Sequence, residues 1–599
     1  MAAGRGALPA ITWEADDGSS ITYSFKQVLD EVSAAAALLA SRGVRRGDVV
    51  TIYLPMVPQL LFSMLACARL GAVHSVVFAG FSDAALAERI VNGGSTTLIT
   101  ADAGLRGGRA VPLKAAADRA VALAAARGVT VSRTFVAHRA GAGAREGAPG
   151  WVPGRDISWD DGVEEAKRHS TGTGDAGVRF APAIMGAEDP LFILYTSGST
   201  GAPKGLVHTC GGYMVYAGAT FRHVFDAAPR RAAAPPPAGA PPALPDTHFC
   251  AADLGWVTGH TYIGYGPLLN GTHSILFEGT PLHPGPDRLW ATVAKHRATT
   301  LYTAPTAIRS LMVHGDAHPA AHDLSSLRII GSVGEPIGPE AWAWFREHVG
   351  RGRAAVVDTY WQTETGGTII TGLPGATAMK PGAATKPYFG IDARVVRPDG
   401  SPCAAGESGF LVLAAPWPGL ARTVWGDHAR YAKTYFSDFP GRYFTGDSAV
   451  ADAEGDIRII GRTDDVINVS GHRLGTAEVE AALGLHSAVA EAAVVGFPHA
   501  IKGEGIYVFV TLKAGKVWSA ALRGELVDTV RKAIGPIATP DVLHPTPDLP
   551  KTRSGKIMRR MLRKVSAGET DVGAMGDAST LADPGVLARL IETRALYVK

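Results

Sequence analysis

Between Ile21 and Ile99 the chain alternates short apolar runs with longer stretches of helical periodicity, and this alternation constrains the fold more than any other feature. Phe25–Ser41, Gln59–Leu70 and Asp83–Val91 read as helices, and Val49–Leu54, Ala72–Phe78 and Thr96–Thr100 as strands. Strands separated by helices can only lie side by side in parallel, joined by crossovers that cover the sheet. The pattern resumes at Phe249 and runs to about residue 375, and strand-rich text follows from Ile391 to Ile460. Beyond it come a helix (Thr476–Leu483), two strands (Val489–Val495, Ile506–Leu512), a helix (Ala520–Ile534) and a basic tail. The expected fold is therefore α/β. A large N-terminal domain, residues 1–463, contains αβ-layered subdomains with parallel-rich sheets plus a β-rich subdomain. A small α+β C-terminal domain, residues 464–599, follows a polar boundary loop. Residues 136–175 have little apolar periodicity and read as an irregular surface excursion. Residues 227–245 are a low-complexity Ala/Pro insertion, expected to be extended and solvated.

Composition excludes several classes. With 58 Lys plus Arg against 55 Asp plus Glu, the net charge of +3 gives no whole-chain reason to expect nucleic acid or an acidic membrane as partner. Four cysteines without C-x-x-C spacing offer neither a zinc ribbon nor a disulfide framework, which favours a reducing compartment. Val49 to Ala68 is free of charge and histidine, long enough for a membrane span. Pro55, Pro58, Thr51, Gln59 and Ser63 instead make it a strand, a turn and a helix. The N-terminus lacks the apolar stretch of a secretory signal, and the C-terminal Tyr597-Val598-Lys599 is not the peroxisomal tripeptide. A cytoplasmic location is expected, with an organellar matrix such as plastid or mitochondrion as the alternative.

Five segments carry chemistry. Tyr195-Thr-Ser-Gly-Ser-Thr-Gly-Ala-Pro-Lys-Gly205 follows an apolar strand and offers backbone amides, hydroxyls and an ammonium to an anion, without Walker A spacing. Gly331-Ser-Val-Gly-Glu-Pro336 is a glycine turn at the end of a strand, where parallel sheets place ligands. Asp358-Thr-Tyr-Trp-Gln-Thr-Glu-Thr-Gly-Gly367 suits either a Mg²⁺-nucleotide site or a turn with a structural Trp. Asp447, Arg462 and Arg473 offer a carboxylate for sugar hydroxyls and forked donors for phosphate, although each alone also suits a solvated surface. From Lys551 to Lys564 seven of fourteen residues are basic. The absence of stacking aromatics argues against nucleic acid there, and Ser554-Gly555 makes a tip able to carry Lys556 into a cleft.

Together these segments resemble the AMP-forming adenylate superfamily, and most closely its acetyl-CoA synthetase family. The resemblance also rests on Phe249-Cys-Ala-Ala-Asp-Leu-Gly-Trp-Val-Thr-Gly-His260, Asp465-Val-Ile-Asn-Val-Ser-Gly-His-Arg-Leu-Gly-Thr476, Lys551–Met558 and Thr580-Leu-Ala-Asp-Pro-Gly585. It extends from about Ile11 to about Leu590, weakest at 120–185 and 227–247. It implies that acetate attacks the α-phosphorus of MgATP, giving acetyl-AMP and pyrophosphate, and that coenzyme A then takes the acetyl group and releases AMP. It implies catalytic roles for Lys556, Thr363 and Glu364. Nucleotide contacts would come from Thr196, Ser197, Gly198, Ser199, Thr200, Gly201 and Lys204, from Gly334, Glu335 and Pro336, and from Asp358, Thr359, Tyr360, Trp361, Gln362 and Thr363. Asp447, Arg462 and Arg473 complete that set. Coenzyme A would meet Arg106, Gly107, Gly108, Arg109, Thr258, Ser470 and Arg531. Val257, Thr258, Val333 and Trp361 would wall the acyl pocket, the bulk of Trp361 leaving room for about two carbons. Asp464 matches the hinge about which the small domain turns between half-reactions. Glu364 would hold Mg²⁺, and backbone oxygens near Gly484, His486 and Val489 a second cation. Gly484 is a substitution there, and Leu282 replaces a common Asn at a coenzyme A contact. A lysine acetyltransferase and a deacetylase acting on Lys556 are implied partners. Family members carry several dozen further residues before the position of Ile11, so the chain reads as short at its N-terminus.

Overall fold

The structure is a computed structural model that describes residues 4–140, 146–169, 180–196, 203–227, 246–463, 466–469, 472–499, 503–552, 555–576, 578, 581–583 and 585–598. The insertion expected at 227–245 lies, beyond residue 227, outside the described residues.

Two large sheets are built as the alternation requires. In the first, six parallel strands run in the order Ala355–Tyr360, Ile329–Ser332, Thr300–Thr303, Thr247–Cys250, His273–Phe277 and Pro9–Glu14. Antiparallel strands Ile370–Thr371 and Lys386–Pro387 extend one edge, and Ser20–Ser24 the other. In the second, Pro190–Thr196, Val73–Val76, Val49–Tyr53, Thr97–Ala101, Arg133–Ala137 and Asp156–Ser158 are parallel, and Lys204–Thr209 folds back antiparallel on Pro190–Thr196.

Local chemistry sets the helix ends. Ser24 and Gln27 form a reciprocal capping box at the start of Phe25–Ser41. Pro58 opens Pro58–Leu70, and Gly71, in the left-handed region, closes it. The uncharged stretch at 49–68 is thus a buried strand and a core helix, and among the described residues no helix is long and apolar enough to cross a membrane.

Residues 393–462 form a four-stranded antiparallel sheet, the expected β-rich part. Beyond residue 465 a separate five-stranded sheet pairs Gly503–Leu512 with Val489–His499, Val466–Val469 and Val542–Pro545. Helices Thr476–Gly484 and Ala520–Ala533 share one apolar cluster with it, and helices Arg559–Ala567 and Gly585–Arg594 another.

The reading of 136–175 needs correction. Strand Asp156–Ser158 joins the second sheet there, and helix Trp159–His169 follows. That helix buries only Trp159 and Val163, too few apolar positions to show a period, although Trp159 packs edge-on against Phe135. The basic tail likewise contains a helix, Arg559–Ala567, that buries Met561, Leu562 and Val565 and commits Arg559 to Glu480 at 2.6 Å.

Candidate active site

Strand Ala355–Tyr360 runs into a single 3₁₀ turn, Thr363–Thr365, at the C-terminal end of the parallel sheet. All three carbonyls of that turn are held by donors from elsewhere. His208 Nε2 donates to Thr363 O at 2.7 Å, Ala421 N to Glu364 O at 2.8 Å, and Trp417 Nε1 to Thr365 O at 3.0 Å. Burial pushes the His208 imidazole down to about 4, so the ring is neutral, with its proton on the nitrogen that faces the carbonyl. Gly366 ends the turn at φ +71°, where a Cβ would collide with the Gly419 carbonyl oxygen. Only glycine leaves there without strain.

The Glu364 carboxylate accepts a hydrogen bond from the Tyr435 hydroxyl, and Lys204 Nζ donates to that same hydroxyl at 2.8 Å. Lys204 is buried on strand Lys204–Thr209, its ammonium 4.7 Å from the Tyr435 ring centre. Burial lowers the Lys204 pKa, and Glu364 opposes that shift. Burial followed by the Glu364 charge raises that of Tyr435, which keeps it a donor. The described part of the expected phosphate loop is therefore wired to Glu364. Of the residues expected there, Thr196 ends its strand, while Ser197, Gly198, Ser199, Thr200 and Gly201 lie outside the described residues. Tyr435 was missed by the sequence reading, and only its place in the Tyr431-Ala-Lys-Thr-Tyr435 run of a helix could have hinted at it.

A second network surrounds Asp447. Tyr360 donates to its carboxylate, Gln362 Nε2 donates to the same oxygen at 2.7 Å, and Arg462 lies 3.6 Å from the other oxygen. Tyr443 donates to Gln362 Oε1 at 2.8 Å and stacks on Tyr435 at 5.3 Å, which joins the two networks. Burial raises the Asp447 pKa, and Arg462, Tyr360 and Lys556 pull it down. Asp358, one turn of the pleat before Tyr360, is buried and pushed up to about 7 by desolvation. Thr359 donates to Ser332 O at 2.8 Å, tying this strand to the glycine turn.

In that turn Gly334 takes φ +96° with open space beside it, and Glu335 accepts from Thr306 and from Arg309 at 2.7 Å. Pro336 follows in the same loop. The loop carrying Lys556 approaches this place. A Cβ added to Gly555 would lie 3.4 Å from Thr306, and the Lys556 charge acts on Asp447. Lys556 is exposed, its backbone closed into a tight loop by Thr552 N donating to Lys556 O at 2.7 Å. Lys556, Asp447, Arg462 and the Thr363–Glu364 turn thus converge. The Arg473 side chain lies outside what is described, although its strand, His472–Gly475, is present.

Trp361 is buried and fixed on two sides. Its indole donates to Tyr302 at 3.1 Å and meets Tyr262 edge-on at 5.0 Å. Val257 and Val333 belong to the same buried cluster, with Thr258 half-buried beside Val257. Arg106, Gly107, Gly108 and Arg109 form the tip of a small hairpin with both arginines exposed. Arg106 lies over Phe78, which packs against Trp256, the neighbour of Val257 and Thr258. Arg531 is exposed in the last turn of helix Ala520–Ala533, and no described contact links it to this edge. Ser470 and Asp464 lie outside the described residues.

The Glu364 carboxylate offers hard oxygen to a cation on the side of Lys204, and the donor described for it occupies Oε1. Gly484 ends helix Thr476–Gly484. The His486 carbonyl accepts from Val489 N at 3.0 Å within the turn, and its ring bonds Glu525 at 3.2 Å, which leaves one lone pair of that carbonyl for an ion. Among the described residues one acidic triad, Asp452, Glu454 and Asp456, has metal-like spacing. The Lys380 ammonium lies 2.6, 2.7 and 2.6 Å from its carboxylates and fills that role.

Asp447, Arg462 and the Lys556 loop gather near the Thr363–Glu364 turn, with Lys204 joined to Glu364 through Tyr435, an arrangement of charge suited to a nucleotide. The chain belongs to the AMP-binding enzyme family. The family profile matches residues 2–425, and that of the AMP-binding enzyme C-terminal domain matches residues 478–556. It is 51% identical to the acetyl-coenzyme A synthetase of Syntrophobacter fumaroxidans, over 98% of this chain and 85% of that protein. It is 52% identical to that of Rhizobium meliloti, over 98% and 86%. Among solved structures, the acetoacetyl-CoA synthetase of Streptomyces lividans superposes with a TM-score of 0.85 over 99% of this chain and 85% of that one, at 23% identity, which shows a shared fold.

Proposed function

We propose that the chain is an AMP-forming acetate–CoA ligase. In the first half-reaction a carboxylate oxygen of acetate forms a bond to the α-phosphorus of ATP, and the bond from that phosphorus to the pyrophosphate oxygen breaks. In the second, the sulfur of coenzyme A attacks the acyl carbon of acetyl-AMP, the thiol proton is released, and AMP leaves. No side chain needs to become covalently attached. The work of the residues is positioning and charge neutralisation. Lys556 and Lys204 bring positive charge to the phosphates as the adenylyl group is transferred, and Thr363 sits at the α-phosphate on a turn whose carbonyls are fixed. Asp447 takes the ribose, Arg462 makes a second nucleotide contact, and Gly334, Glu335, Pro336 and the 358–362 strand end wall the base. Glu364 is the residue that would hold Mg²⁺, which when bound neutralises phosphate charge. Trp361 closes the acyl pocket behind a two-carbon acid.

The observation that carries this reading is the convergence of the Lys556 loop with Asp447, beside the Thr363–Glu364 turn. We further propose a domain boundary at residue 464 with Asp464 as hinge, so that the small domain presents Lys556 for adenylation and then Ser470 and Arg531 for thioester formation. The exposed Lys556 suits control by an acetyltransferase and a deacetylase, since acetylation removes its charge. We place the enzyme in the cytoplasm or an organellar matrix. The test is acetate-dependent exchange of pyrophosphate into ATP, followed by AMP formation on adding coenzyme A. Exchange with propionate but not acetate, or no AMP with coenzyme A, overturns the assignment.

A further inference from the structure

The hairpin Gly104–Arg106/Arg109–Val111 turns on two residues, Gly107 and Gly108, with φ +59° and +74°. Two positive φ angles make the tightest hairpin turn, whose twist matches the strands. Its register pairs Arg106 directly with Arg109. Paired residues stand on one face of a ribbon, about 5 Å apart, where like charges oppose folding. Neither guanidinium is in an ion pair with a described residue. Arg106 lies over the Phe78 ring at 5.5 Å, and its charge acts on the half-buried Asp253. Two cations held together at the exposed tip, at a cost to the fold, call for an anion of more than one charge.

The turn is held from behind by one residue of another element. Asp16, only 2% exposed in the turn after strand Pro9–Glu14, accepts from Gly107 N at 3.0 Å with one oxygen and from Gly108 N at 2.6 Å with the other. His283 Nε2 stands 4.0 Å away, and Asp16 N is itself anchored on Glu278 at 3.2 Å. A buried carboxylate spanning both turn amides fixes the hairpin's conformation and direction, while its charge stays on the amide side.

We propose that Asp16 is a positioning residue for thiol-substrate recognition, locking the Gly107–Gly108 turn so that Arg106 and Arg109 stand ready for the phosphates of coenzyme A. This rests on the ligase reading above and deepens it. The geometry separates two kinds of thiol. Coenzyme A carries phosphates that the arginines can grip. Pantetheine, the same thiol arm without its nucleotide, carries none, and adenylate formation uses no thiol at all.

The test is Asp16→Asn in the full-length enzyme, beside Arg109→Ala. The readouts are kcat/KM for coenzyme A, kcat/KM for pantetheine, and acetate-dependent pyrophosphate exchange. Asparagine keeps one neutral acceptor for the two turn amides and sets a donor against the other, which should cut the coenzyme A to pantetheine preference about tenfold through KM for coenzyme A. Pantetheine use and exchange should hold. Equal losses on both thiols and on exchange overturn the proposal, because Asp16 then only supports the fold. A preference lost in Arg109→Ala but kept in Asp16→Asn also overturns it. A preference kept in both variants overturns the assignment of the hairpin to coenzyme A itself, and the proposal with it. If Asp16→Asn is recovered unfolded, Asp16→Glu, which keeps the charge but displaces the carboxylate by one methylene, carries the same comparison.

Discussion

Tyr435→Phe removes one oxygen from the chain Lys204–Tyr435–Glu364 and leaves the ring in place. The ring stacks on Tyr443 at 5.3 Å and 15° and meets Tyr431 at 5.2 Å, contacts phenylalanine keeps, so the helix His428–Phe436 should pack as before. Two charged groups lose a partner. Glu364 Oε1 loses the hydroxyl donor that aims it, and Lys204 Nζ loses its acceptor at 2.8 Å inside the protein. A hydrogen bond to a charged group contributes ~1.5–3 kcal/mol. If that energy is spent on orienting Glu364 and Lys204 for MgATP, it appears in the rate, at tenfold for each ~1.4 kcal/mol. Pyrophosphate exchange at subsaturating ATP should then fall ~10- to 150-fold, with more Mg²⁺ needed for half-saturation. Isothermal titration of ATP with and without Mg²⁺ supplies a readout independent of turnover, and the variant should lose the Mg²⁺-dependent part of binding. Exchange within about twofold of wild type, at an unchanged Mg²⁺ requirement, would refute the idea that Tyr435 orients either charge.

Three further outcomes follow from the site. Trp361→Gly opens the space now filled by an indole fixed on Tyr302 and Tyr262, and a panel of straight-chain acids should show preference moving from acetate to longer acids; an unchanged profile removes Trp361 from the pocket. Lys556→Gln, which like acetylation removes the charge facing Asp447, should abolish exchange yet still form acetyl-CoA from supplied acetyl-AMP. Equal loss of both steps would contradict a role confined to adenylation. Asp358→Asn concerns stability. The wild-type carboxyl titrates near 7 when folded and at 3.8 ordinarily, so the native state keeps a proton that the unfolded chain gives up in that window. Stability of the wild type therefore falls as pH rises from 3.8 to 7, and the amide does not share the fall. Melting temperatures of the two proteins should diverge across that window in favour of Asp358→Asn, with the gap constant above it; parallel curves would show that Asp358 does not titrate there.

The sheets were legible because buried parallel strands are written as apolar runs between amphipathic helices. Phe25–Ser41 carries its own capping box, and the helix from Pro58 its own start and stop, so both were readable locally. Helix Trp159–His169 was not, because it fully buries only Trp159 and Val163, and the half-buried Gly162 and Ala166 beside them are too small to mark an apolar face. Candidate site residues were legible where the chain groups them, as in 358–367. Their partners were not, because these come from distant elements: His208 from a strand of the other large sheet, Trp417 and Ala421 from a loop, Tyr435 from a separate helix.

That division has a physical origin. A short 3₁₀ turn has too few internal hydrogen bonds to hold its shape, since each terminal carbonyl needs a partner from outside. In Thr363–Thr365 those partners are an imidazole, an indole and a backbone amide, all arriving from across the fold, so the direction of Thr363 and Glu364 is set by tertiary packing rather than by the motif that contains them. The motif marks the candidate surface; the rigidity of that surface comes from residues no local pattern marks. Asp16 stands to Arg106 and Arg109 as His208 stands to Thr363. In both, a buried side chain from another element grips the backbone of a turn that contains or ends in glycine, so the turn's shape does not depend on its own side chains. Substitutions at such gripping residues should therefore disturb one substrate at a time, whereas core substitutions disturb all of them together.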